Sequence, residues 1–309
     1  MPVDPAVAAI LEFRAQRNLP GWADLTVEEN RAGAEMSRAL QKPPQEVAAA
    51  IDAAYGPEAE QVLRVYVPAT GSAPYPVVVH YHGGGFVMGS LNLVDEPSRA
   101  LANDVEAIVV ATTYRKAPEW KFPAAHDDAL SALRWVAAHI DEYGGDPARL
   151  AVMGDSAGGN LAASAAIRAR DEGGPALRAI ALLYPMVSPD PDTPSRREYA
   201  EGYPIDAPGI KYCRAQYSAT PQDELDPRID LDRTPSLAGL PPTLVLTNEY
   251  DMTRDEGEAF ARRLAAEGVE VTAKRFDGLV HIVYWWSGAV PKQAEMHAAV
   301  VEFLRKHLT

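Results

Sequence analysis

A serine attacks a carbonyl carbon only where a base can take its proton and donors can hold the charge that the attack creates. Residues 154–158 read Gly-Asp-Ser-Ala-Gly. The apolar run at 150–153 predicts a strand directly before this stretch, and the pattern over 158–170 predicts a helix directly after it. A serine held on such a strand-to-helix turn is forced into a strained backbone conformation, and the flanking glycines let neighbouring segments approach where a Cβ would collide. The turn also lifts the hydroxyl toward the positive end of the following helix, where developing negative charge is favoured. Ser156 is therefore the candidate nucleophile.

Donors for the developing charge come from a second stretch. His82-Gly83-Gly84-Gly85 follows the apolar run at 76–81. Consecutive glycines present backbone N–H groups with no side chains in the way, which suits an oxygen that gains charge as an acyl carbon turns tetrahedral. Gly83 and Gly84 are the expected donors, joined by the N–H of Ala157, the residue after the nucleophile. A phosphate-cradling loop would need a Gly-Lys-Ser/Thr ending, which is missing. His80 and His82 form an H-x-H pair of the kind that binds zinc, but no third and fourth ligand stands at suitable spacing. The expected chemistry calls for no metal and no organic cofactor.

Three histidines follow Ser156, and two of them, His297 and His307, fall in a predicted terminal helix. His281 sits after the last predicted strand, in Asp277-Gly278-Leu279-Val280-His281, on a loop that glycine makes flexible enough to aim a ring at Ser156. It is the expected general base. The acid is sought in Asn248-Glu249-Tyr250-Asp251, at the C-terminal end of the run at 243–247. Asp251 is preferred there. Asp255 has a sufficient role at the N-terminus of the next helix, and Glu249 sits closer to the strand, so both stay open as alternatives. Phe86, Val87 and Met88 after the glycines, Tyr184 at the end of the run at 179–184, and Ile282, Trp285 and Trp286 after the histidine are candidate pocket walls.

These groups need a scaffold. From residue 76 onward, apolar β-branched runs at 76–81, 107–113, 150–153, 179–184, 243–247 and 269–275 alternate with helical patterns at 96–103, 124–143, 158–170, 254–267 and 292–307. That beat predicts right-handed crossovers and a mostly parallel sheet covered on both faces. A further strand is expected at 62–67, whereas 46–55 is ambiguous between helix and strand. Thr26 reads as a helix N-cap in an amphipathic N-terminal segment. Between 188 and 240 the chain is rich in Pro, Asp and Tyr without a clear strand, which predicts a lid rather than a bare loop.

Composition narrows the classes. Hydrophobic residues make up 47% and charged residues 23% of 309, enough apolar material for a large core. A net charge of −14, with no basic cluster, argues against nucleic acid and anionic membranes as partners. With one cysteine, Cys213, and no signal-peptide pattern or apolar run of membrane length, a cytoplasmic location is expected. Ala157 interrupts the Gly-Asp-Ser-Gly-Gly string of trypsin-like proteases, and the order of the expected triad differs from theirs.

Taken together, His82–Gly85, Tyr114-Arg115-Lys116-Ala117-Pro118-Glu119, Phe122-Pro123-Ala124-Ala125, Asp128, the turn Gly154-Asp155-Ser156-Ala157-Gly158-Gly159-Asn160, Tyr184-Pro185, residues 249–257 and residues 278–281 resemble the bacterial hormone-sensitive-lipase-like carboxylesterases. The resemblance covers about three quarters of the chain. It implies a single α/β-hydrolase domain over 1–309, an α/β fold with a mostly parallel sheet, helices on both faces and a helical cap formed by about 1–45 and 188–235. It implies Asp251 as the acid, short-chain acyl esters as small-molecule substrates, and a homodimer as the assembly to look for. Two departures stand out: Lys116 occupies a position where the family usually has leucine, and Ile282 and Val283 replace its usual glycine and aromatic or methionine.

Overall fold

The computed structural model describes residues 2–189 and 192–308. In chain order the elements are α1 (Pro5–Gln16), α2 (Val27–Met36), β1 (Ala49–Ala54), β2 (Val62–Val67), β3 (Tyr75–Tyr81), α3 (Asp95–Val105), β4 (Ile108–Thr112), α4 (Ala124–His139) and β5 (Gly145–Asp155). There follow α5 (Ala157–Asp171), β6 (Ala179–Leu183), α6 (Pro194–Glu198), α7 (Ala207–Tyr217), β7 (Thr243–Tyr250), α8 (Arg254–Ala266), β8 (Val271–Val280) and α9 (Gln293–Leu308). Among the described residues the strands form one sheet in the order β1-β2-β4-β3-β5-β6-β7-β8. β2 is antiparallel to both of its neighbours and every later pairing is parallel.

The sheet's side chains alternate between two cores, as a strand buried on both faces requires. On one face Val77, Val79, Leu150 and Val152 pack with Leu133 of α4, Leu161 of α5 and Phe260 of α8. On the other, Val78, Ala151 and Met153 pack with Leu101 of α3 and Val300 and Leu304 of α9. Two elements differ from expectation in length. β5 begins at Gly145 rather than near 150, and β8 runs on to Val280. The ambiguous 46–55 stretch supplies β1. Its alanines favour helix intrinsically, but six paired residues along β2 satisfy the backbone instead, so tertiary pairing overrides propensity.

Thr26 caps α2, accepting from the Glu29 N–H while the Glu29 carboxylate takes the Thr26 N–H. The interval 188–240 carries α6 and α7 outside the sheet. Tyr199, Ile205 and Ile210 of this interval and Met252, just after β7, form a small third core, against which Trp22 of the N-terminal segment, Tyr250 and Ile282 pack. Among the described residues no helix is long and apolar enough to cross a membrane.

Candidate active site

Ser156 joins β5 directly to α5 with φ 55° and ψ −120°, in the left-handed half of backbone space that side chains rarely adopt. The turn is held from three sides. Its N–H donates to the Leu183 carbonyl of β6 at 2.9 Å, and its carbonyl accepts from the N–H groups of Asn160 and Met186, each at 3.1 Å. A Cβ on residue 154 would fall on the Gly158 carbonyl, and one on residue 158 would fall on the Tyr81 carbonyl at the end of β3. Close approach is therefore what demands glycine at both positions.

His281 directly follows β8. Its Nε2 lies 2.7 Å from Ser156 Oγ and its Nδ1 lies 2.8 Å from Asp251 Oδ2. A carboxylate only accepts, so the proton sits on Nδ1, and Nε2 is left to accept from the serine hydroxyl. Ser156, Asp251 and His281 are all buried. The two alternatives for the acid are engaged elsewhere: Asp255 accepts from the Ser195 N–H and pairs with Arg254, and Glu249 accepts from the Gly278 N–H. Gly278 lies inside β8, with φ +77°, and is fixed by that bond and by its place in the strand. It makes a set kink, not the flexible loop expected from sequence. Asn248 of β7 donates to the Val280 carbonyl at 2.8 Å, so the backbone just before His281 is held from the neighbouring strand.

The sequence reading missed Thr253. Its N–H and hydroxyl both reach Asp251 Oδ1, at 2.8 and 3.0 Å, which leaves Oδ2 for the histidine. A hydroxyl two residues after a candidate acid was the available signal.

The glycine loop corrects one expected role. The Gly83 N–H donates to Asp155 Oδ1 at 3.1 Å and is therefore not available to a substrate oxygen. Asp155, the variable residue of the nucleophile motif, is fully buried and fastens the loop to the nucleophile turn. Gly84, Gly85 and Ala157 have no protein acceptor for their N–H groups among the described residues. Gly84 has φ +120°, and a Cβ there would strike the Met88 carbonyl, so the loop's path also excludes side chains. His82, made neutral by burial that pushes its pKa down to about 3, bonds through Nδ1 to the Gly83 carbonyl at 2.8 Å. His80 makes a 3.2 Å contact to Ser98 rather than joining His82.

The expected pocket walls separate. Phe86 borders a cavity of about 20 Å³, together with Gly85, Asn160, Met186, Cys213, Tyr217 and Ile229. Ile282 packs on the small core with Met252 and Tyr250. Tyr184 is buried with its ring 4.7 Å from that of His281. Val87 and Met88 turn into the α4–α5 core, and Trp285 and Trp286 into the α3–α9 core, so these four do not line that cavity. The residues that do line it beside Phe86 come largely from α7 and the segments flanking it. His126 ties these parts together: its Nε2 donates to Asn160 Oδ1 at 2.9 Å and its Nδ1 accepts from the Tyr217 hydroxyl at 2.7 Å. Asn160 in turn donates to the carbonyls of Met186 and Ile229.

A family model described as alpha/beta hydrolase fold matches residues 78–285. The chain is 40% identical over 251 residues to carboxylesterase NlhH of Mycobacterium tuberculosis, covering 80% of this chain and 78% of that one. It is 36% identical over 234 residues to an ethyl acetate hydrolase of Pseudomonas putida, covering 75% and 73%. Among solved structures, a hyperthermophilic esterase from the archaeon Pyrobaculum calidifontis superposes with a TM-score of 0.92 at 38% identity, covering 99% of both chains. With these matches across most of its length, the chain belongs to the α/β-hydrolase family of carboxylesterases and is a carboxylic ester hydrolase.

Proposed function

We propose that this esterase cleaves short-chain acyl esters through an acyl-enzyme on Ser156, with His281 as general base and acid and Asp251 as its orienting carboxylate. The observation that carries the reading is the unbroken chain from Asp251 Oδ2 through His281 to Ser156 Oγ, at 2.8 and 2.7 Å. His281 takes the serine proton as Oγ attacks the carbonyl carbon, and the resulting imidazolium gives that proton to the departing alkoxide. Water, activated by the same ring, then releases the acid. Gly84, Gly85 and Ala157, whose N–H groups are uncommitted among the described residues, hold the oxyanion.

Short acyl preference is supported by the cavity beside Asn160, one helical turn beyond the nucleophile. Its volume is only about 20 Å³, and Phe86, Met186 and Tyr217 are among its walls. The N-terminal segment to about residue 45 and residues 188–235 act as the cap, a role supported by the shared packing of Trp22, Tyr199 and Ile210 over Met252 and Ile282. The test is hydrolysis of p-nitrophenyl acetate, butyrate, octanoate and palmitate by the wild type and Ser156→Ala. Turnover that favours the two short esters and drops by at least ~10³ in the variant is expected. A rate that survives the substitution would place the chemistry on another residue, and equal turnover of palmitate would remove the short-chain reading.

A further inference from the structure

We propose that Lys116 is a positioning residue that strengthens the oxyanion site from behind, through Thr113, His82 and the Gly83–Gly84 peptide. This inference rests on the proposed oxyanion role of Gly84.

The direction of every hydrogen bond in the path is forced. The Gly83 carbonyl can only accept, so His82 Nδ1, 2.8 Å away, carries the proton. Burial keeps the ring neutral, so Nε2 must accept, and the group facing it at 3.3 Å is the Thr113 hydroxyl. Having donated its only proton, Thr113 Oγ accepts from Lys116 Nζ at 3.0 Å. Each N–H or O–H along this line thus points from the ammonium toward the Gly83 carbonyl. That carbonyl belongs to the peptide whose other end is the Gly84 N–H. The bond is trans, so its C=O and N–H point in opposite directions, and pinning the first on His82 turns the second away from the interior. Pull on the carbonyl oxygen also polarises the peptide and makes its N–H a stronger donor, because hydrogen bonds in series reinforce one another in a low-dielectric surrounding.

The frame around the path is rigid. The Tyr114 hydroxyl donates to the His82 carbonyl at 3.0 Å, and its ring stacks on His82 with centroids 4.6 Å apart. A Cβ on residue 89 would strike His82 Nδ1, so the loop closes tightly over the ring. Lys116 itself is half-buried, makes no ion pair among the described residues, and donates otherwise only to the Tyr114 carbonyl. The charges facing it are Arg31 and Glu35 from α2, Glu60 from the turn before β2 and Glu119 from its own loop, and the neutral, titratable ring of His82 lies on the inner side. Arg31 is neutralised by a 2.6 Å pair with Glu119. Burial, helped by Arg31, lowers the Lys116 pKa to about 8, so the charge that drives the path is full at pH 7 and lost above pH 8.

The experiment is the pH dependence of kcat and KM between pH 6 and 9.5 on p-nitrophenyl butyrate, corrected for spontaneous hydrolysis. Wild type, Lys116→Met, Lys116→Arg and Thr113→Val are compared, with Ser156→Ala run alongside. The wild-type kcat should fall about 3- to 10-fold on a limb centred near pH 8, a fraction of the 10²–10³ that follows loss of a whole oxyanion donor. Lys116→Met should show the lower kcat already at pH 7, with KM within about twofold, no basic limb, and convergence with the wild type above pH 9. Thr113→Val should behave in the same way, and Lys116→Arg should keep the neutral-pH rate while losing the limb. A wild-type profile flat through pH 8 overturns the proposal, even if the variants do not fold. So does a Lys116→Met loss that is uniform in pH with the limb retained, since that is a packing defect. Turnover surviving in Ser156→Ala would instead sink the underlying assignment of the nucleophile.

Discussion

Asp251→Asn is the most discriminating single substitution, because the structure decides which way the new amide must face. Thr253 points two donors at Oδ1, its N–H at 2.8 Å and its hydroxyl at 3.0 Å. If the amide nitrogen were placed there, the buried N–H would lose its acceptor, at a cost of about 1–3 kcal/mol. The opposite orientation keeps both bonds and sets the NH₂ group against His281 Nδ1. The imidazole then has only to move its proton from Nδ1 to Nε2, a smaller penalty, so this arrangement wins. Nε2 now presents a proton to Ser156 Oγ, 2.7 Å away, and cannot remove one. A triad locked in the wrong tautomer loses about 10⁴ in kcat, or on the order of 5 kcal/mol of transition-state stabilisation. The assay is steady-state hydrolysis of p-nitrophenyl acetate by wild type, Asp251→Asn and Asp255→Asn, with unfolding curves showing that each is native. Asp255 serves Ser195 and Arg254, so its variant should stay within about threefold of wild type. A loss below tenfold for Asp251→Asn, or an equally dead Asp255→Asn, would refute the reasoning.

Acid should unfold the protein steeply. His82 and His126 are held neutral by burial, with pKa values pushed down to about 3 and about 4, so below pH 6.5 the unfolded chain binds up to two more protons than the native one. Stability should fall on the order of 2–3 kcal/mol per pH unit between about pH 6 and 4, measured by urea unfolding, and a flat profile there would contradict it. Lys116 works in the other direction of pH. Its folded pKa of about 8 lies below the unfolded 10.5, so stability should rise from pH 8 to 10.5, and Lys116→Leu should stabilise by about 1–3 kcal/mol at pH 7 but hardly at pH 10. A destabilised leucine variant at pH 7 would show that the buried charge is favourably solvated. Cys213→Ala removes the sulfur that borders the small cavity and lies against Gly85, so kcat/KM for butyrate relative to acetate should rise about fourfold, the value of one extra buried methylene. An unchanged ratio would mean that the acyl chain lies elsewhere.

The scaffold was legible because most of its strands are buried on both faces and read as continuous apolar runs between helical patterns. The strand that was not legible, β1, lies at the edge of the sheet, where Ala49 and Ala54 need only pair with Val67 and Val62 and carry no packing pattern. The residues proposed as nucleophile and base, Ser156 and His281, stood out because such roles call for particular side chains at strand ends, and the fold brings the two within 2.7 Å of each other. Asp251 was preferred but not isolated, since what separates it from Asp255 and Glu249 is the identity of their partners, Thr253, Ser195 and Gly278. The Gly83 correction has the same origin. A run of glycines advertises free N–H groups, but only the fold reveals that Asp155 has already taken one. The pocket walls were the least legible. Val87 and Met88 adjoin the glycine loop in sequence, yet both N–H groups bond back to the Gly84 carbonyl, and this turn carries their side chains into the core.

That contrast explains why four of the six left-handed non-glycine residues among those described gather at the C-terminal end of the sheet. Left-handed φ values occur at Phe86 (63°), Ser156 (55°), Tyr184 (36°) and Ile282 (63°), just beyond the C-terminal ends of β3, β5, β6 and β8. Each costs on the order of 1–3 kcal/mol and persists only where surrounding contacts leave no alternative. The strands beneath supply that constraint, with Val79, Val152, Leu182 and Leu279 all fully buried. The cap side supplies a second constraint through Asn160, which holds the carbonyls of Met186 and Ile229 and accepts from His126. A substitution at Asn160 would therefore release the floor of the cavity and the turn of the nucleophile together, whereas one in α9 would cost stability without moving either. The reacting geometry is thus set by hydrogen bonds to backbone carbonyls at the end of the sheet, and hydrophobic burial serves it by making those carbonyls immovable.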